Sequence, residues 1–305
     1  MSQPLNAEYV FEKIPPRLPQ THKGSYGKLL IVAGSTRYRG AAALAAEGAL
    51  RTGAGLVTLA AVEPVLQGIL PRLPECCCLP CTMNSEGGIA AENLPALQQA
   101  LKGCSAVLIG PGLGMSEDTK TLVRTLVTEA ACPVVLDADG LNAAAAILND
   151  LDPDRDDPQP PALPRPQNGA PLVLTPHPGE MGRLTGLSGE EINANREGTA
   201  AGYARANGCV LVLKGSRTVI AAPDGRIFKN KTGNPGLARG GSGDVLAGML
   251  AGLLAQRLDA FDAAACAVWL HGSAADGAAA RMGQYGMLPH DIFYDLERLF
   301  AQNGR

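Results

Sequence analysis

The sequence contains few aromatic residues and no cluster of basic ones. Phe, Trp and Tyr make up 4% of its 305 residues, and the formal net charge is −3. Lysine and arginine form no block, which argues against nucleic acid or an anionic membrane as the main partner. The first residues carry no basic segment followed by an apolar core, so we expect no secretory signal. Neither nucleic acid nor a membrane is therefore expected as a partner.

The eight cysteines lack the partners that a metal site needs. Four of them cluster at Cys76, Cys77, Cys78 and Cys81, but no second Cys or His pair follows at ligand spacing. Three adjacent cysteines before Leu-Pro are more typical of a short strand with small apolar side chains. We expect no metal bound by side chains, and free thiols in a reducing cytoplasm.

Two common nucleotide-binding fingerprints are also missing. The sequence has no Gly-x-x-x-x-Gly-Lys-Ser/Thr P-loop. Gly110-Pro-Gly-Leu-Gly114 lacks the Gly-x-Gly-x-x-Gly spacing of a dinucleotide fold. A Rossmann oxidoreductase is therefore poorly supported.

Short apolar runs alternate with helical patterns along the chain, and 46% of its residues are hydrophobic. The runs predict strands at 28–32, 56–61, 106–109, 133–136, 172–175, 209–213 and 218–222. Helices are predicted at 40–50, 90–102, 117–130, 140–148, 189–207 and 261–280. This alternation predicts a single three-layer α/β/α domain over residues 1–305 with a mostly parallel central sheet. Residues 1–27 are expected to be irregular, and 151–169 a loop rich in Pro and Asp.

Gly240-Gly-Ser-Gly-Asp244 is the strongest candidate site. A helix that begins there would point unpaired N–H groups and its positive dipole end at an anion, most naturally phosphate. Residues 245–255 carry no charge, so this helix must be buried nearly all round. Asp244 lies in its first turn, where it either caps the helix or acts as a general base beside a phosphate.

Further candidates lie at the ends of predicted strands. Asp137 and Asp139 could hold a cation or orient a phosphate chain through water, or Asp139 could only cap a helix. His177 stands between two prolines that fix its direction, which suits either a structural or a functional side chain. Ala41 and Ala42 open an alanine-rich helix that a flat ligand could approach, or that simply packs close to the sheet.

A basic turn, Lys214-Gly-Ser-Arg217, joins two predicted strands. It is either an exposed hairpin with solvated side chains or a nucleotide site. The anion loop follows closely in sequence, which favours a nucleotide.

These segments together resemble the ADP/ATP-dependent NAD(P)H-hydrate dehydratases, a family of the ribokinase-like superfamily. The superfamily motif is Asn234-Pro-Gly followed by Gly240-Gly-Ser-Gly-Asp244. The family-specific segments follow in the family's order: Lys23-Gly-Ser-Tyr-Gly-Lys28, Gly110-Pro-Gly-Leu-Gly114, Leu136-Asp-Ala-Asp-Gly-Leu-Asn142, Leu174-Thr-Pro-His-Pro-Gly-Glu180 and Leu213-Lys-Gly-Ser-Arg-Thr218. The resemblance covers residues 20–300.

The resemblance implies roles for individual residues. Asp244 would be the catalytic base, with the N–H groups of Gly241, Ser242 and Gly243 stabilising the phosphoryl group. The hydrated nicotinamide substrate is expected at Ala41, Ala42, Gly112, Asp139, Asn142, His177 and Asp244. The nucleotide is expected at Lys214, Gly215, Ser216, Arg217, Thr218, Asn234 and Gly243.

The resemblance also implies an activity. The family uses ADP or ATP, with Mg²⁺, to dehydrate the S form of hydrated NADH or NADPH. A homotetramer is expected. No segment resembles the accompanying epimerase, which we expect on another chain. The alternatives are a ribokinase-like kinase for a hydroxymethyl heterocycle or sugar, and a binding or regulatory protein without catalysis. The intact Asp244 argues against the last of these.

Overall fold

Nine strands form one sheet in the part of the chain that the structure, a computed structural model, describes: residues 5–151 and 163–305. The strands are β1 (Lys28–Val32), β2 (Leu56–Val62), β3 (Cys77–Cys81), β4 (Ala106–Ile109), β5 (Val134–Leu136), β6 (Leu172–Leu174), β7 (Val210–Leu213), β8 (Val219–Ala221) and β9 (Ile227–Lys229). Their order across the sheet is β3-β2-β1-β4-β5-β6-β7-β8-β9. All neighbours pair in parallel except at β7–β8 and β8–β9, which are antiparallel.

Helices cover both faces of this sheet. They are α1 (Ala7–Lys13), α2 (Arg39–Arg51), α3 (Glu63–Ile69), α4 (Leu94–Leu101), α5 (Glu117–Glu129), α6 (Asp139–Leu151), α7 (Pro178–Thr185), α8 (Gly189–Ala194), α9 (Arg196–Ala206), α10 (Ser242–Ala255), α11 (Ala260–Gly286) and α12 (Ile292–Gln302). One layer is built by α2, α10, α11 and α12 in mutual contact, and the other by α4 to α9. The predicted three-layer α/β/α architecture is confirmed.

The central strands are apolar because both of their faces are covered. Every residue of β4, β5, β6 and β7 is buried. Parallel strands covered by helices on both sides read as continuous hydrophobic runs, which made them visible in the sequence.

The backbones of helices α10 and α2 pack in close contact. All residues 245–255 of α10 are buried, as their lack of charge predicted. A β-carbon on Gly248 would lie 2.0 Å from the carbonyl oxygen of Ala45, and one on Gly252 would lie 2.5 Å from Oγ1 of Thr52. The two glycines therefore allow the backbones to meet, and this close contact holds the start of α10 in place.

The expectation that residues 1–27 are irregular is wrong at Ala7–Lys13 and at the 3₁₀ helix Lys23–Tyr26, and it is right for residues 14–22. Helix α1 forms before the prolines at 15, 16 and 19, and the side chain of Asn6 caps it by accepting the N–H of Tyr9. Tyr9 also donates from its hydroxyl to Asp262 at the start of α11, with an oxygen–oxygen distance of 2.6 Å. Packing against a distant helix stabilises a short segment whose sequence alone is weakly helical.

Four other elements were not predicted, and one predicted helix is divided. The sequence did not predict the short elements α3, α7 and β9, or the longer helix α12. The helix predicted over 189–207 is interrupted at Asn195, which leaves the helical conformation and caps α9 by accepting the N–H of Gly198.

The loop predicted over 151–169 falls mainly on residues 152–162, which lie outside the described part of the chain. Beyond them, Leu163 is buried and Gln167–Gly169 form a short 3₁₀ helix.

Cys77–Cys81 form the edge strand β3, as predicted, and all eight cysteines are free thiols. Among the described residues, no group of three or more His, Cys, Asp or Glu side chains is arranged to hold a metal ion. In the same residues no helix is long and apolar enough to cross a membrane.

Candidate active site

The glycine loop leads directly into the N-terminus of α10. Gly241 precedes the helix with φ +101, a conformation that L side chains rarely adopt, and a β-carbon there would lie 2.6 Å from Cδ1 of Leu44. No side chain from the described residues caps this helix, and Asp244 is its third residue. Asp244 therefore does not act as the cap. The N–H of Ser242 donates to the carbonyl of Arg239 at 3.3 Å, whereas those of Gly243 and Asp244 have no partner among the described residues and remain available to a ligand.

A partly buried lysine links the ends of three neighbouring strands. Nζ of Lys214, which follows β7, lies 2.6 Å from Oδ1 of Asp137 and 3.7 Å from Oε2 of Glu180. Asp137 follows β5, is 1% exposed, and also accepts a hydrogen bond of 2.7 Å from Thr175, which follows β6. Nζ also lies 3.3 Å from the position of a β-carbon on Gly243. The lysine ammonium thus lies directly beside the glycine loop.

Asp244 stands among other carboxylates, and this changes its acidity. Burial, and then the charge of Asp137, raise the pKa of Asp244 from 3.8 to about 7, with Asp139 and Glu180 adding to the rise and Lys214 opposing it. Burial alone would lower the pKa of Lys214, but the charges of Asp137 and Glu180 outweigh it and keep the pKa above its usual value. Asp244 can therefore exchange a proton near neutral pH, while Lys214 stays charged.

His177 caps helix α7 and remains half exposed. Its Nδ1 accepts the N–H groups of Gly179 (2.9 Å) and Glu180 (3.3 Å), and Oε2 of Glu180 accepts the N–H of His177 (2.7 Å). This reciprocal pair is a capping box, here with a histidine as the cap. Nε2 lies 3.5 Å from Oε1 of Glu180, and 51% of the side chain is open to solvent. The ring is therefore fixed in direction by its structural role and accessible to a ligand.

Asp139 ties the loop after β4 to helix α6. Its Oδ2 accepts the N–H of Gly114 at 2.8 Å, and its Oδ1 accepts a hydrogen bond of 3.3 Å from Asn142. Asn142 in turn accepts a hydrogen bond of 3.0 Å from Arg183. Asp139 begins the helix, but its carboxylate holds a neighbouring loop rather than only its own helix end.

The start of α2 lies against the same loop. Gly112 has φ +64, and a β-carbon on it would lie 2.7 Å from Cβ of Tyr38 and 2.9 Å from Cβ of Ala41. Ala41 is partly exposed, whereas Ala42 is fully buried. Of the two alanines, only Ala41 offers surface to a ligand in this structure.

The turn between β7 and β8 is exposed at Gly215, Ser216 and Arg217. Oγ1 of Thr218 closes it by donating to the carbonyl of Gly215 at 3.1 Å. The side chain of Lys214 points away from this exposed turn and into the carboxylate cluster.

Two further side chains shape the backbone of the predicted nucleotide site. The guanidinium of Arg196 donates to the carbonyl oxygens of Leu213 (2.8 Å) and Lys214 (3.0 Å). Asn234 donates to Asp276 at 3.0 Å and accepts the N–H of Gly236 at 2.9 Å, so its amide holds its own loop.

Sequence reasoning did not single out Glu180, Thr175, Arg196 or Asp276 as site residues. Glu180 had a detectable signal, because a Glu three residues after a capping side chain is the mark of a capping box. Arg196 lies on α9 and Asp276 on α11, and no motif around either residue in the sequence indicated a role in the site.

A buried histidine supports the loop from behind. Burial lowers the pKa of His271 to about 4, against a smaller opposing effect of the nearby backbone of Ser242, so its ring is neutral. Its Nε2, like Oγ of Ser242, has no hydrogen-bond partner among the described residues.

The sheet, the helical layers and a glycine loop at the N-terminus of a buried helix define a ribokinase-like protein. A ribokinase-like superfamily protein from Enterococcus faecalis superposes with a TM-score of 0.80 at 27% identity, covering 98% of this chain and 95% of that one.

Within this class, residues 29–298 match the NAD(P)H-hydrate dehydratase family, and the chain belongs to that family. The ADP-dependent (S)-NAD(P)H-hydrate dehydratase of Bacillus subtilis is 36% identical over 295 residues, which are 97% of this chain and 96% of that protein. The crystal structure of the B. subtilis ADP/ATP-dependent NAD(P)H-hydrate dehydratase, co-crystallised with ATP/Mg²⁺, has a TM-score of 0.81 at 35% identity and 99% coverage of both chains.

Longer relatives also match. The bifunctional NAD(P)H-hydrate repair enzyme Nnr of Moorella thermoacetica is 43% identical over 289 residues, 94% of this chain but 52% of that protein. The chain thus spans about half the length of such curated relatives.

Proposed function

We propose that the chain dehydrates the S form of hydrated NADH and NADPH, driven by ADP or ATP. The observation that carries the proposal is the position of Asp244, a carboxyl group with a pKa of about 7 in the first turn of a helix whose N-terminus forms an anion site. Relatives of similar length named as ADP-dependent (S)-NAD(P)H-hydrate dehydratases support it.

The proposed chemistry begins as a phosphoryl transfer. Asp244 accepts the proton of the substrate's ring hydroxyl while that oxygen attacks the terminal phosphate of the nucleotide. The N–H groups of Gly241, Ser242 and Gly243 stabilise the charge on the phosphoryl group as it moves. The ring-nitrogen lone pair then expels phosphate, and loss of a proton from the adjacent ring carbon restores the dihydronicotinamide. The overall products are NADH or NADPH, phosphate and the nucleotide shortened by one phosphate.

Mg²⁺ fits this site as a companion of the phosphate chain. The described residues provide no cluster of three or more ligands. Mg²⁺ commonly keeps several waters and binds one or two carboxylates together with substrate phosphates. Asp139, which is partly exposed, is the carboxylate that would reach it through water, whereas Asp137 is buried and already paired with Lys214. When bound, the ion supplies positive charge that neutralises the phosphates.

The remaining residues position the two reactants in the proposal. Ala41, Gly112, Asp139, Asn142 and His177 surround the nicotinamide. The turn of Gly215, Ser216, Arg217 and Thr218 contacts the nucleotide through its backbone and guanidinium. Lys214 and Asn234 support the nucleotide site without contacting the nucleotide, because their polar atoms are already engaged with Asp137 and Asp276.

The test is replacement of Asp244 by asparagine, which has the same shape but cannot take up a proton. General-base catalysis contributes roughly 10²- to 10⁴-fold in rate, so turnover should fall on that scale, about 3–5 kcal/mol of barrier. Turnover is measured as recovery of the absorbance of the reduced ring from hydrated NADH plus ATP or ADP. Nucleotide binding, measured by calorimetry, should persist.

Near-normal turnover in a folded Asp244→Asn protein would contradict the mechanism. A small-molecule kinase with the same base would instead accumulate a stable phosphorylated product. Assaying free phosphate and NADH together therefore separates the two functions.

The assembly and location are also proposals. We propose a cytoplasmic homotetramer. Exposed apolar side chains at Met282, Tyr285 and Leu288 offer surface for a second copy, and eight free thiols suit a reducing compartment. Light scattering of the purified protein measures the assembly, and a dimer or monomer would contradict it.

A further inference from the structure

A cavity lies beside the proposed nicotinamide site and has no role in the chemistry above. Its volume is about 300 Å³, within the range of small-ligand pockets. Its walls come from the loops after β1, β3 and β4, and include Ser35, Tyr38, Glu86 and Gly114. Asp139 lines the cavity as well, so the cavity is continuous with the site around Asp139 and Gly112.

The cavity contains polar groups whose bonding capacity is unused. Oγ of Ser35 is buried, with the residue 3% exposed, and has no hydrogen-bond partner among the described residues. Arg37 is exposed and forms no ion pair with them, and its guanidinium lies 5.4 Å from the ring centre of Tyr38. A buried hydroxyl without a partner is unfavourable unless something else bonds to it. An unpaired guanidinium next to it provides the charge for an anionic ligand.

The cavity also offers groups that suit the other parts of a nucleotide. Tyr38 is 45% exposed, which leaves its ring open for stacking against a base. Glu86 is exposed and has no cationic partner in the described chain, so its carboxylate can accept hydrogen bonds from ribose hydroxyls.

The order of the strands places this cavity on one side of the catalytic cluster. Asp139, which follows β5 close to Asp137, forms the near wall of the cavity, and the other walls lie at the ends of β4, β1 and β3. The proposed nucleotide turn joins β7 and β8, on the opposite side of β5. Two ligands can therefore approach Asp244 from opposite directions without overlapping.

We propose that this cavity binds the adenylate half of the dinucleotide substrate, with a phosphate facing Arg37 and Ser35 and the adenine ring against Tyr38. This inference rests on the proposed function, because it assumes that the group held at Asp244 is the nicotinamide end of the same molecule. The reacting ring is then positioned by binding energy from a part of the substrate that does not react.

The test compares two substrates in two variants. Hydrated reduced nicotinamide mononucleotide has the reacting ring but no adenylate half. Arg37→Ala and Tyr38→Ala should each raise KM for hydrated NADH about tenfold, and leave KM for the mononucleotide and for ATP unchanged. Tyr38→Ala keeps the Cβ and carbonyl that pack on Gly112. Arg39→Ala is the control, since Arg39 is equally exposed but bonds to the carbonyl of Thr36 and lies outside the cavity wall.

Equal KM changes for both substrates, or no change for either, would overturn the proposed subsite. A wild-type protein that restores neither substrate would instead contradict the proposed function. Calorimetry with ADP-ribose then tests the cavity independently of activity. Binding that is lost in Arg37→Ala and kept in Arg39→Ala supports the subsite, and absence of binding to the wild-type protein rejects it.

Discussion

At the scale of single residues, Lys214 decides the charge of the site. The sequence presents it as one of two basic side chains in an exposed turn, next to Arg217. In the fold its side chain is 17% exposed and its ammonium is held between Asp137 and Glu180, whereas Arg217 remains in solvent. Two neighbours in sequence therefore serve different parts of the site.

Replacing Lys214 should lower stability, whereas replacing Arg217 should affect only the binding of the nucleotide. Lys214→Met leaves Asp137 and Glu180 buried without their counter-charge, and breaking such a pair costs about 3–5 kcal/mol of unfolding free energy. The pKa of Asp244 should also rise further, since Lys214 holds it down. Arg217→Ala should keep wild-type stability and raise only the KM of the nucleotide. Denaturant unfolding measures the stability of each variant, and the dependence of the rate on nucleotide concentration measures its KM. Equal effects of the two substitutions would refute this division of roles.

The pH dependence of the reaction should report Asp244 directly. The base must be deprotonated, so kcat/KM should rise with pH and level off above an apparent pKa of about 7. The free energy of unfolding should instead fall as pH rises. The pKa of Asp244 is raised from 3.8 to about 7, so the folded state favours the protonated form and loses stability as pH rises from about 4 to about 7.

Asp244→Asn removes this ionisation and provides the comparison. Its stability relative to the wild type should grow between about pH 4 and pH 7 and stay constant above that. Thermal unfolding at several pH values measures it. A stability difference that does not depend on pH would mean that Asp244 keeps an ordinary pKa in the folded protein.

At the scale of elements, the start of α10 is the feature on which the site depends. The helix is held by its glycine contacts with α2 and supported by the neutral ring of His271 behind Ser242. Gly241 turns the chain into it with φ +101. The proposed anion site is therefore a product of backbone conformation, and few side chains take part.

Two adjacent glycines allow a matched test of this view. Gly241→Ala imposes backbone strain of about 1–3 kcal/mol and brings its β-carbon toward Leu44. It should lower the melting temperature and raise the KM of the nucleotide. Gly240 has no left-handed φ and no atom within 4 Å of its β-carbon position, so Gly240→Ala should behave like the wild type. Similar kinetics in the two variants would show that the turn at Gly241 is not required.

At the scale of the whole molecule, the strand order separates the two proposed ligands. Hydrogen exchange can map them, because bound segments open less often. ATP should slow exchange at 214–218 and 240–244, and ADP-ribose should slow it at 35–38 and 84–88. Overlapping patterns of protection would mean that both ligands share one site.

Much of this fold could be read from the sequence. The apolar runs of β1, β4 and β7 and the uncharged stretch of α10 were located correctly, because burial on all sides demands a local composition that is visible without a structure. Other elements were missed. Helix α1 packs on α11 and helix α12 packs on α2, contacts with distant segments that no local window contains, while α3, α7 and β9 are too short to show a clear period.

The candidate site divides in the same way. The sequence by itself determined the glycine loop, the acid that follows it and the strand ends that carry polar residues, since each is a contiguous motif with its own chemistry. Only the tertiary structure decided that Lys214 neutralises Asp137 and Glu180, that Ala42 is buried while Ala41 is open, and that Asn234 is held by Asp276. Those outcomes depend on which side chains meet after strands far apart in sequence become neighbours, and on the burial that shifts the pKa of Asp244 when they do.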